Sequence, residues 1–218
     1  MTKHNTGRFV ILAVLLACGV LGSASPAAAK DMQTAAKEAV VGKKSRLKQD
    51  MRKLWADHVI WTRGYIVAAV AGTPDAKAAA ARLMKNQEDI GNAFIPYYGA
   101  RAGAKLTGLL KQHILIAADV VAAAKAQDKA KFNAANARWQ GNARQIAAYL
   151  SAINPNWDKG AVTSMFYEHL AATNQEASAR INKDWAGDIK AFDKLFSEIM
   201  TMADDFSAGI VKQFPEKF

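Results

Sequence analysis

The stretch "LWADHVIWTR" (54–63) sets a histidine among apolar residues, and its reading decides the fold. Three, four and seven residues away from His58 stand Met51, Leu54, Trp55, Trp61, Thr62 and Tyr65. These positions share one face of a helix, and no sustained period-two alternation argues for a strand. Two other segments align on this one without gaps: "LLKQHI" (109–114) and "MFYEHL" (165–170) match "LWADHV" (54–59) at spacings of 55 and 56 residues. Each holds two apolar residues, a variable position, a polar residue, histidine and an aliphatic residue. His113 has Leu106, Leu109, Leu110, Ile116, Ala117 and Val120 on its face, and His169 has Val162, Met165, Phe166, Ala172, Thr173 and Glu176. All three imidazoles are therefore expected to point into the core.

Working outward, the chain reads as all-α. A first helix is predicted from about Lys44 to Ala71. "GTPD" (72–75) then breaks it, with Gly72 at a C-terminal position, Thr73 as N-cap and Pro74 in the next first turn. The second helix is expected to reach Tyr97 and the third to cover 102–126. Asp128 caps a fourth that ends near Ile153, before the break "NPNW" (154–157). The remaining segment is too long for one helix and is expected to turn within "INKDWAGD" (181–188). About six helices joined by short turns make an antiparallel bundle of three hairpins, with a weak internal repeat of about 55 residues.

The N-terminus has the layout of a secretory signal: Lys3 and Arg8, an apolar run "FVILAVLLACGVL" (9–21), then "SPAAAK" (25–30), whose Ala27 and Ala29 suit a cleavage site. Residues 1–29 are read as a cleaved signal peptide and 30–218 as one helical-bundle domain, exported to the periplasm or secreted. "LLAC" (15–18) resembles a lipobox, so lipidation at Cys18 is the competing reading. The apolar run is short for a membrane span, and no later stretch reads as one. Cys18 is the only cysteine, so cleavage leaves neither disulfides nor thiolate ligands. Loss of Lys3 and Arg8 takes the formal charge from +10 to +8. That bias suits an anionic envelope surface. The densest basic cluster is Lys43, Lys44, Arg46, Lys48, Arg52 and Lys53. It lacks interleaved aromatics and any nucleic-acid module, and reads as a solvated helix face.

Turn symmetry sets the height of the histidines. His58 and Asn86 are equidistant from the first turn, and His113 and Asn142 from the second; the third hairpin offers Ile199 and Met202. A polar layer is thus expected to cross an apolar core. It has two explanations of equal weight. Neutral histidines could hydrogen-bond with Asn86, Asn142, Thr62 and Thr173 and fix helix register, because a buried polar group left unpaired is costly. Alternatively the three imidazoles could coordinate Zn, Cu, Ni or Fe.

Among the carboxylates, Asp89 lies one turn from Asn86 and is the candidate fourth ligand or orienting group. Glu176 is two turns from His169, a candidate for an adjacent polar site with Arg180. Asp57, Glu168 and Asp119 read as border or surface residues. Met165 aligns with Leu54 and Leu109 and so reads as core. No Glu-x-x-His pair, Cys-x-x-Cys-His, G-x-S-x-G, P-loop or H-E-x-x-H motif is present in the sequence. Enzymatic activity is left open only in a metal-assisted form. A carrier pocket lined by Trp55, Trp61 and Tyr65 is a third reading.

The combination of "LWADHVIWTR", "KNQEDIGNA" (85–93), "NPNW" and "GIVKQFPEKF" (209–218) resembles a family of small exported bacterial all-helical proteins without an agreed function. The resemblance covers most of residues 50–218. It implies a shared site of His58, Asp89, His113 and His169, and supplies no mechanism. "NARQIA" (142–147) lacks the carboxylates of the aligned "NQEDIG" (86–91), which speaks against a threefold acidic site.

Overall fold

The computed structural model describes residues 26–218, with side chains from Lys30 onward except Ala36. The basic and apolar regions read as a signal peptide, and Cys18, lie outside the described residues. Six α-helices follow: α1 (Pro26–Ala71), α2 (Ala76–Tyr98), α3 (Ala100–Lys125), α4 (Lys129–Ile153), α5 (Lys159–Ile181) and α6 (Trp185–Gln213), with a 3₁₀ turn at Pro215–Lys217. No strand occurs among the described residues. Residues 26–38 form a unit of their own, and the account below concerns 39–218. The first helix therefore begins well before the expected Lys44, because "PAAAKDMQTAAKEAVVGKK" (26–44) is rich in Ala and Lys and contains no proline after Pro26.

The turns follow from single residues. Gly72 and Gly99 adopt φ of 75° and 84°, the left-handed region in which a side chain is strained. The carboxylates of Asp128, Asp158 and Asp184 accept from the backbone N–H three residues on, at 3.0, 2.8 and 2.9 Å, each neutralising an orphan donor of the first turn. The first turn departs from expectation. Thr73 and Pro74 stay outside α2, whose N-cap is Asp75 without a side-chain capping bond, and the Thr73 hydroxyl turns back to the Ala68 carbonyl. Pro96 is tolerated inside α2 because it sits in the last turn, where the ladder ends.

Consecutive helices from α2 to α6 pack on one another, and α3 also meets α5. One continuous core runs through Met51, Trp55, Ile90, Leu106, Leu110, Ile146, Phe166, Leu195 and Phe206. By length and composition, α3 is long and apolar enough to cross a membrane, which corrects the expectation that no stretch after residue 29 is; 44% of its most apolar window is buried within the protein.

The α2–α3 contact is closest at two glycines. A Cβ placed on Gly91 would meet the Gly103 carbonyl oxygen at 2.7 Å and collide with the Thr107 hydroxyl, and one on Gly103 would lie 2.6 Å from the Gly91 carbonyl. Backbone cannot yield as a side chain does. Gly91→Ala is expected to destabilise the fold by about 2 kcal/mol, read from urea unfolding; a variant as stable as the parent would show that the helices part freely.

"NPNW" is a packed corner. Asn154 is fully buried, donates to the Tyr98 hydroxyl at 2.9 Å and accepts from the Asn156 backbone N–H at 2.9 Å. Trp157 donates from Nε1 to the Asp205 carbonyl and fills the space beside Gly209, where any added Cβ would strike its ring.

Candidate functional site

The three histidines do meet. His58 comes from α1, His113 from α3 and His169 from α5, and each is buried. The rings of His58 and His169 have centroids 5.4 Å apart, and those of His113 and His169 are 6.3 Å apart, with planes inclined by 29°. They border a cavity closed further by Ile66, Leu83, Val121 and Trp139. It offers about 20 Å³ to the centre of a water-sized sphere, enough for one water or ion and far too little for a drug-sized ligand. That overturns the carrier pocket: Tyr65 reaches the cavity, whereas Trp55 packs against Phe206 and Trp61 lies under the Arg82 guanidinium.

Their partners differ in an informative way. His113 Nδ1 lies 2.7 Å from Asn142 Oδ1. An amide oxygen only accepts, so Nδ1 carries the proton and Nε2 the lone pair. Asn142 also donates to the Leu109 carbonyl at 3.1 Å, one turn before His113. In the first pair of helices two residues divide these tasks. Asn86 donates to the Leu54 carbonyl, one turn before His58, at 2.9 Å, and Gln87 presents its amide nitrogen to His58 Nδ1 at 3.3 Å. Gln87 Nε2 also faces the Leu83 carbonyl at 2.9 Å and Asn86 Oδ1 at 3.1 Å, acceptors that fix its orientation; its two protons are shared among the three, and the contact to His58 Nδ1 is the longest. His58 Nδ1 thus accepts, and its proton is on Nε2. Asn86 accordingly bonds backbone rather than imidazole.

Gln87 is the residue that sequence reasoning missed. A signal existed: it follows His58 by 29 residues, the interval that separates His113 from Asn142.

Thr62 and Thr173 also correct the expectation. Their hydroxyls donate to the backbone carbonyls of His58 and His169, at 2.7 and 2.8 Å, not to the rings. Two imidazole nitrogens, His113 Nε2 and His169 Nδ1, are buried without a hydrogen-bond partner.

Burial pushes all three imidazoles toward neutrality. His58 is lowered to about 3, with the nearby His113 a secondary cause. His113 is lowered to about 4 by burial, partly opposed by its bond to Asn142. His169 falls well below the usual value through burial, then through His58 and His113.

Asp89 does not join them. It is a third exposed and pairs with Lys85 at 2.8 Å and Arg82 at 3.8 Å, because its position turns it off the buried face of α2. Asp57 and Asp119 likewise form surface pairs, with Lys53 and Arg138. Among the described residues, no group of three or more His, Cys, Asp or Glu has its ligating atoms converged on one metal position.

Glu176 forms a second polar centre, and its partner is Arg63 at 2.8 Å rather than Arg180. Arg63 also forks onto Asp188, at 2.8 and 3.0 Å, and stacks on Phe192. Arg180 reaches Asp188 at 3.4 Å. Glu176 is wholly buried and its Oε2 has no partner. Burial raises it to about 7, against the lowering influence of Arg63.

No family model matches the chain. No curated protein and no solved structure matches it either.

Proposed function

We propose that the protein is an exported helical bundle that holds a transition-metal ion (Zn, Cu, Ni or Fe) among His58, His113 and His169, for sensing, storage or scavenging. The reading is carried by one observation: two buried imidazole nitrogens lack partners beside a cavity the size of one ion. Neutral rings favour it, since no proton has to be displaced. Two imidazoles sharing an ion at about 2.0–2.1 Å have centroids about 5–6 Å apart, the range seen here. Coordination requires the rings to turn about Cβ–Cγ, a broad and soft torsion. Residues 54–59, 109–114 and 165–170 would then be three copies of one hairpin position. The matched Asn86–Leu54 and Asn142–Leu109 bonds are what such a repeat would produce.

A second reading has support of its own. The same two asparagine bonds tie neighbouring helices in register, so the layer could serve packing alone, in a non-catalytic envelope protein. Lys43, Lys44 and Arg46 are exposed and make no ion pair among the described residues, leaving them to an anionic surface. Lys48 and Arg52 are engaged by Asp204.

Calorimetric titration with Zn²⁺, Cu²⁺, Ni²⁺ and Fe²⁺ separates the two. Stoichiometric binding is expected, weakened at least a hundredfold by combined His58→Gln, His113→Gln and His169→Gln. Indifference to all four ions would leave the packing role.

A further inference from the structure

Resting on the metal reading, we infer that the ion is a monovalent, soft d¹⁰ cation, Cu(I) in the cell, held in a near-linear pair between His113 Nε2 and His169 Nδ1. Three observations lead there. First, these two nitrogens are the buried ones without a partner, whereas His58 directs its Nδ1 lone pair at the Gln87 amide. The Asn142 bond leaves the lone pair of His113 on Nε2, and a ligating histidine is characteristically fixed through its other nitrogen.

Second, the spacing suits two ligands opposite one another. An imidazole centroid lies about 3 Å from an ion bound at about 2 Å, so two opposed rings stand about 6 Å apart. His113 and His169 are 6.3 Å apart, near this limit, while His58 and His169 are closer, at 5.4 Å. A tetrahedral ion brings the centroids nearer, and an octahedral one, which can also take opposed ligands, needs four further donors. The cavity has room for one water-sized occupant, so it cannot also take the waters that Ni²⁺ or Fe²⁺ would keep.

Third, charge decides the valence. No carboxylate borders the cavity, whose other walls include Ile66, Leu83, Ile114, Val120 and Val121. The desolvation cost of an ion rises with the square of its charge, so a divalent ion suffers about four times the penalty of a monovalent one of equal size. Neutral imidazoles provide no counter-charge. Glu176, the buried carboxylate of the same helix as His169, is already engaged by Arg63.

The test compares ions and ligands in the full-length purified protein. Ag(I), which needs no reductant, is titrated directly. Cu(I) is presented anaerobically from a chromogenic chelator of known affinity, and Zn²⁺ serves as the divalent reference. Ag(I) and Cu(I) are expected to bind at least a hundredfold more tightly than Zn²⁺. His113→Gln and His169→Gln are expected to lose at least a hundredfold in affinity, and His58→Gln less than threefold. X-ray absorption on the Cu(I)-loaded parent, which involves no variant, should report two nitrogen neighbours. Tighter Zn²⁺ binding, equal dependence on His58, or three or four neighbours would overturn the two-coordinate site while sparing the metal reading. Absence of binding by every ion would overturn both.

Discussion

Acidification of the metal-free protein is expected to remove about 2.7 kcal/mol of stability per pH unit between about pH 6.5 and 4.5. Burial holds the three imidazoles neutral in the folded chain, at values near 3 and 4 for His58 and His113 and well depressed for His169. The unfolded chain protonates all three below pH 6.5, so it takes up protons that the native state refuses. Their contribution is intact above pH 6.5 and drains away as pH falls toward the folded values. Glu176 acts in the opposite sense. Its folded value, raised to about 7, makes its contribution complete below about 4.5 and lost as pH rises through 7. Within the window, unfolding therefore gains three imidazole protons and releases one carboxyl proton, a net uptake of two. Domains of this size hold about 5–15 kcal/mol, so the roughly 5 kcal/mol lost across the window is about a third of the total or more. Urea titrations at half-unit intervals after chelator treatment measure the slope directly. A stability curve flat from pH 7 to 5 would show that the rings are solvated or already charged.

Arg63→Leu carries the second large effect, a loss of about 3–5 kcal/mol at pH 8. The guanidinium is the shared partner of two carboxylates, Glu176 and Asp188, whose side chains are 0% and 3% exposed. Without it Glu176 has no partner, and Asp188 keeps only Arg180 at 3.4 Å. The penalty belongs to uncompensated buried charge, not to a lost attraction. It should therefore shrink at pH 5, where Glu176 is protonated. Adding Glu176→Gln and Asp188→Asn to Arg63→Leu should recover most of the loss, because the charges are gone while the shapes remain. If the triple variant is no more stable than Arg63→Leu, the arginine acts through packing on Phe192 instead.

The features legible in the sequence were those set by period and by local chemistry. The core-facing histidines, the Asp128 cap, the "NPNW" corner and the turn after Ile181 all follow from spacing within one or two turns. What escaped depends on which helix lies opposite. Asn86 and Gln87 are adjacent on α2, and a rotation of one residue decides which of them faces His58. Turn symmetry placed the height but not that rotation. Asp89 was a reasonable neighbour of Asn86 along the helix, yet its azimuth gives it to Lys85. Arg63, only five residues from His58, gave no local sign of its role, since its partners stand 113 and 125 residues away. Glu176 was recognised as a core-facing acid, and Arg180 seemed its natural partner at helical spacing; the tertiary fold assigned it the arginine of another helix.

The aromatic surroundings of the histidines have a practical corollary. Trp139 lies 5.2 Å from His113 and Trp55 lies 5.8 Å from His58, whereas Trp185 is half exposed and sits over Arg180. An imidazolium quenches an excited indole by accepting an electron at such distances. The emission of Trp55 and Trp139 therefore reports the charge state of the layer, over a background from Trp61, Trp157 and Trp185, whose ring contacts lie elsewhere.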